Sequence, residues 1–98
     1  MRITEAEAKA KAAVNVVRKH LGESAAVWLF GSRVDDAQKG GDIDIYAETS
    51  AENIALPAAR ARGELADVLG RHVDLVVDNH TKDLPIFDIA KKQGVRLA

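Results

Sequence analysis

Residues 26–30 read Ala-Val-Trp-Leu-Phe, apolar at every position, and the run ends at Gly31. A segment so short does not make an independent helix, and it has no polar side to give to water. It therefore predicts a buried strand. Two later segments supply the rest of a sheet. Asp42-Ile43-Asp44-Ile45-Tyr46 alternates polar and apolar side chains, as a half-buried strand does. His72-Val73-Asp74-Leu75-Val76-Val77 is β-branched and apolar enough for a third strand, with one acid, Asp74, inside it.

Helical patterns separate these strands. Thr4 and Glu7 have the spacing of a capping box, and a helix over 5–21 would carry Ala10, Ala13, Val14, Val17 and Leu21 on one stripe before Gly22 stops it. From Pro57 to Leu69 the stripe is Ala58, Ala61, Leu65, Val68 and Leu69, with Gly70 after the end. A last helix over 84–93 would start near Pro85, turn Ile86, Ile89 and Ala90 inward, and end at Gly94 before a short Val95-Arg96-Leu97 segment. The expected order is α-β-(loop or short α)-β-α-β-α, an α+β fold. A chain of 98 residues is expected to form one domain over 1–98, closing little more than one sheet layer and its helices. With 4% aromatic residues in a 47% hydrophobic composition, the core must rest on Val, Leu, Ile and Ala.

Charge excludes some partners. The 14 basic and 15 acidic side chains nearly cancel, so nothing marks the whole chain as one that coats nucleic acid or an anionic membrane. No run approaches the roughly 20 apolar residues of a membrane span, and the N-terminus lacks an apolar signal core. The absence of cysteine excludes disulfides and thiolate metal sites, leaves hard oxygen ligands open, and suits a cytoplasmic protein.

The acids are the informative feature. Residues two apart on a strand project from one face, so Asp42 and Asp44 would stand about 7 Å apart at Cα, while Ile43 and Ile45 turn to the core. Paired carboxylates repel unless a cation lies between them, and Asp74, flanked by core-facing Val73 and Leu75, would bring a third carboxylate from a neighbouring strand. Oxygen-only ligands with open positions suit Mg²⁺ or Mn²⁺ shared with phosphates, and thus chemistry at phosphorus. Gly31-Ser32 at the end of the first strand would let backbone N–H groups and a hydroxyl approach a phosphate tail. Arg33 follows with a planar fork, and Lys39 is a weaker candidate. Each feature has a plainer reading. Asp-x-Asp commonly marks a solvated strand face, Asp74 could be an edge acid facing water, Gly-Ser could be a simple turn, and Arg33 could form a surface salt bridge. His20, His72 and His80 lack partners at metal-ligand spacing and receive no role. Asp35, Asp36, Asp78 and Asp88 read as loop, cap or helix-face acids, with Asp78 on the face of Asp74 if the third strand extends that far.

Apolar-Gly31-Ser32, nine residues, Asp42-Ile43-Asp44-Ile45, then a helix and a strand bearing Asp74, resembles the DNA polymerase beta-like nucleotidyltransferase superfamily. Trp28 to Arg33, Leu69 to Val76 and the closing Pro85 to Val95 segment are similar to the small minimal nucleotidyltransferases (MNT type) of prokaryotes. The resemblance implies a mixed sheet with helices packed on one face and the other face left for nucleotide and metal. It implies that Asp42, Asp44 and Asp74 are catalytic and bind Mg²⁺ or Mn²⁺, with Asp74 helping to deprotonate the acceptor. It implies that Gly31, Ser32 and Arg33 hold the triphosphate. The expected reaction moves NMP, AMP from ATP, to a hydroxyl of a macromolecular acceptor. The resemblance further implies a small helical, HEPN-type partner encoded nearby in a toxin–antitoxin-like pair. The alternative is a non-catalytic nucleotide- or metal-binding module that neutralises such a partner by complex formation, and a homo-oligomer is also compatible.

Overall fold

The computed structural model describes residues 5–30, 43–81 and 83–98. These form helix α1 (Glu5–Leu21), strand β1 (Ala26–Phe30), strand β2 (Ile43–Glu48), helix α2 (Ala55–Leu69), strand β3 (Val73–Asp78), helix α3 (Pro85–Gln93) and strand β4 (Val95–Arg96). The sheet order is β3-β2-β1-β4. β1 is antiparallel to both β2 and β4, and β2 is parallel to β3. The sheet is therefore mixed, as expected. A parallel pair cannot be joined by a tight turn, and α2 provides the crossover. The expected Thr4 cap and the loop or short helix between β1 and β2 lie outside the described residues.

Period-two alternation sorts the strand residues onto two faces. Val27, Leu29, Ile43, Ile45, Ala47, Val73, Leu75 and Val77 meet α1 and α2, which add Ala13, Val16, Val17, Leu21, Ala61, Leu65 and Leu69. The other face carries Trp28, Tyr46 and Val76, and there α3 supplies Phe87 and Ala90. The expectation of helices on one face thus holds for α1 and α2 and is corrected for α3. Its reason is aromatic packing: the Tyr46 ring lies 5.2 Å from Trp28 and 5.7 Å from Phe87, and Tyr46 is wholly buried.

The helix stripes need the same kind of adjustment. In α2 the buried line is Ala61, Leu65 and Leu69, while Val68 is 45% exposed. Val68 lies about 60° around the helix from Leu65, beyond the edge that meets the sheet. In α3, Phe87 is buried where Ile89 was expected, and Ile89 is 44% exposed, because the ring seated on Tyr46 sets the helix rotation. α2 begins two residues before Pro57, and β2 runs on through Ala47 and Glu48.

Local chemistry fixes the element ends. Gly70 takes a left-handed conformation (φ 71°) and donates its N–H to the Ala66 carbonyl at 2.8 Å, closing α2. Thr49, 6% exposed, donates its hydroxyl to the Leu21 carbonyl at 2.6 Å and so satisfies one of the free carbonyls at the end of α1. Glu64 of α2 accepts from Lys19 at 2.7 Å and lies 2.8 Å from His20 Nε2, tying the two helices together. His20 is thus a helix-packing residue.

Candidate active site

β1 ends where β2 and β3 begin, because Phe30 pairs with Asp44 and Ile43 with Val73. At that end of the sheet, Asp44 and Asp74 occupy the same register position on adjacent parallel strands. Neighbouring strands lie about 4.8 Å apart, and paired residues present their side chains to the same face. Alternation puts both acids on the face of Tyr46 and Val76, opposite the α1–α2 core. One row across the sheet therefore reads Asp74, Asp44, Phe30.

The Asp74 side chain is 52% exposed and Asp44 is half-buried. His72 Nδ1 lies 3.9 Å from Asp74 Oδ1, with both side chains more than half exposed. At that length and exposure the contact contributes little to stability. Two of the three expected acids are thus brought together. Asp42, Gly31, Ser32, Arg33 and Lys39 lie outside the described residues, as do Asp35 and Asp36. Among the described residues, no group of three His, Cys, Asp or Glu side chains could hold a metal ion.

A second acid row stands four positions along the same strands, about 13 Å away. Glu48 pairs with Asp78, since β3 extends far enough to bring Asp78 onto the face of Asp74. Its company is different. Lys91 of α3 binds Glu48 at 2.8 Å, and the Tyr46 hydroxyl donates to Glu48 Oε2 at 2.8 Å with Asp78 Oδ2 at 3.3 Å. Burial would raise the Glu48 carboxyl, but hydrogen bonds from Lys91 and Tyr46 outweigh it and hold the group below the usual carboxylate range. Burial, reinforced by the Glu48 hydrogen bond and the nearby carboxylates, pushes the Tyr46 phenol far above its ordinary value, so it remains a donor. This row is a closed network latching α3 to the sheet. Sequence reasoning missed it, because nothing local connects Lys91 with Glu48.

The arrangement at the open end, two carboxylates in register beside the last residue of β1, is suited to hold a hard cation against an anionic ligand. The family model described as "Polymerase beta, Nucleotidyltransferase" matches residues 12–97. The chain belongs to this nucleotidyltransferase family. The match runs from the middle of α1 through β4 and includes every strand of the sheet. No curated protein gives a significant match to this nucleotidyltransferase. Among solved structures, a chain from the complex of tri-AMPylated Shewanella oneidensis HEPN toxin with MNT antitoxin superposes with a TM-score of 0.70 at 21% identity. The alignment covers 93% of this chain and 70% of that one. At that identity the likeness is one of fold. Among the described residues of the nucleotidyltransferase, no helix is long and apolar enough to cross a membrane.

Proposed function

We propose that this nucleotidyltransferase transfers AMP from ATP to a hydroxyl of a HEPN-type partner protein, in a metal-dependent reaction at the Asp44–Asp74 end of the sheet. The observation that carries the reading is the register itself, Asp44 beside Asp74 on the face opposite the α1–α2 core. The complex in which an MNT antitoxin accompanies a tri-AMPylated HEPN toxin, seen in a chain of the same fold, supports the choice of nucleotide and partner.

The residues present fit a divalent cation. Asp44 and Asp74 offer hard oxygen donors at one step of the sheet, their mutual repulsion favours a positive charge between them, and Asp42 is the third candidate ligand. Mg²⁺ or Mn²⁺ bound there supplies Lewis-acid stabilisation of charge building on the phosphate oxygens. Gly31 and Ser32 are the candidates to seat the triphosphate through backbone N–H groups and a hydroxyl, with Arg33 pairing to phosphate oxygens. The acceptor hydroxyl oxygen bonds to the α-phosphorus as the bond to the bridging oxygen of the β-phosphate breaks. Pyrophosphate leaves, and the hydroxyl proton passes to the Asp74 carboxylate. A cysteine-free chain suits the cytoplasm, where ATP is available.

The test is transfer of label from α-labelled ATP, with Mg²⁺, to a HEPN-type protein co-purified with this one. Wild type is expected to label the partner and release pyrophosphate, and Asp44→Asn to lose about 100-fold or more of that rate. Equal labelling by wild type and Asp44→Asn would overturn the proposal, and neutralisation of the partner without labelling would favour the binding-only alternative.

A further inference from the structure

Gly94 links α3 to β4 and stands where α3 meets the end of β1. Its N–H donates to the Ala90 carbonyl at 2.8 Å. A Cβ placed on it would collide with that same Ala90 oxygen, lie 2.9 Å from the Leu29 carbonyl oxygen and lie 3.1 Å from the Phe30 Cβ. Its φ of −85° is open to any residue, so the requirement for glycine is one of space and not of backbone conformation.

Such an atom would press on two backbones. The last turns of α3 are held by the Lys91–Glu48 ion pair at 2.8 Å, by Phe87 on the Tyr46 ring and by the fully buried Ala90. The other backbone is the end of β1, where Leu29 pairs with Ile45 on one side and Val95 on the other and Phe30 pairs with Asp44. With the last turns of α3 so held, strain entering at residue 94 bears on Leu29 and Phe30 and, through their pairs, on the neighbouring strands. We infer that Gly94 is a positioning residue for nucleotide binding: by letting α3 seat directly on the end of β1, it sets the placement of Phe30 and, through the sheet register, of Asp44. The inference rests on the nucleotidyltransferase reading of that end of the sheet.

The experiment is calorimetric binding of ATP with Mg²⁺ to wild type, Gly94→Ala, Lys91→Met and Thr49→Val. Thr49 lies just beyond the opposite end of β2, so Thr49→Val lowers stability without touching the site and separates loss of fold from loss of placement. A shift at the end of β1 is expected to weaken binding by about tenfold in Gly94→Ala. Lys91→Met frees the last turns of α3 without adding atoms near β1 and should weaken binding a few fold, which keeps the inference testable if Gly94→Ala does not fold. Thr49→Val should bind like wild type at a temperature where it is folded. A folded Gly94→Ala protein with wild-type affinity, or loss in Thr49→Val equal to that in Gly94→Ala, overturns the inference, and so does unchanged affinity in Lys91→Met if Gly94→Ala cannot be folded. Absence of binding by wild type instead removes the nucleotidyltransferase reading and this inference with it.

Discussion

Replacing Thr49 with Val keeps the shape of the side chain and deletes its hydroxyl, which separates hydrogen bonding from packing at one buried point. Among the described residues, Thr49 is the one buried polar side chain outside the apolar set, at 6% exposure. Its hydroxyl donates to the Leu21 carbonyl at 2.6 Å and accepts the Ala51 N–H at 3.1 Å, joining the end of α1 to the chain leaving β2. With Val in place, that carbonyl loses its donor inside the protein, a cost of about 1–3 kcal/mol. For a domain of this size each kcal/mol moves Tm by about 4–8 °C, so a loss near 2 kcal/mol predicts a fall of about 8–16 °C. Thr49→Ser keeps both hydrogen bonds and loses one methyl group, about 0.8 kcal/mol. Urea unfolding and thermal melts of the three proteins should therefore rank wild type, Ser, Val. A Val protein as stable as the Ser protein would refute the reasoning, since packing alone would then account for the site.

Three further outcomes follow from the same geometry. The folded Glu48 carboxyl titrates below its ordinary value near 4.5, so its stabilising contribution is fully present above that pH and is lost as pH falls through the folded value. Acid unfolding followed by circular dichroism should be less steep below pH 4.5 in Glu48→Gln than in wild type, and identical profiles would remove the Lys91–Glu48 latch from the account. Leu65→Ala, in the fully buried line of α2, should cost about 2–5 kcal/mol in chemical denaturation, whereas Val68→Lys on the same helix should stay within about 0.5 kcal/mol. Comparable losses at 65 and 68 would contradict the rotation of α2 seen here.

Much of this architecture was legible in the residues because most elements are bounded by strong local signals. The Ala26–Phe30 run and the 5–21 helix emerged with the bounds expected, the helix stopped by Gly22. Asp44 and Asp74 were legible as acids alternating with core residues, but their pairing was not. Register depends on how the parallel strands are set by α2 packing, which no local pattern encodes. The position of α3 was hidden for a related reason. Its sequence supports two overlapping stripes, one through Ile86, Ile89 and Ala90 and one through Ile86, Phe87 and Ala90, and the choice is made by Tyr46 and Trp28, far away along the chain. The acid row of Glu48 and Asp78 was invisible on the same account, since it exists only because α3 delivers Lys91 to it.

The most direct test of the central claim is paramagnetic broadening of backbone amide signals by substoichiometric Mn²⁺. The two acid rows lie about 13 Å apart on the same strands, far enough for the technique to tell them apart. Broadening should centre on Ile43–Ile45 and Val73–Leu75 and disappear in Asp44→Asn. Broadening centred on Glu48 and Asp78, or a pattern unchanged by Asp44→Asn, would contradict the assignment of Asp44 and Asp74 as the cation-binding pair.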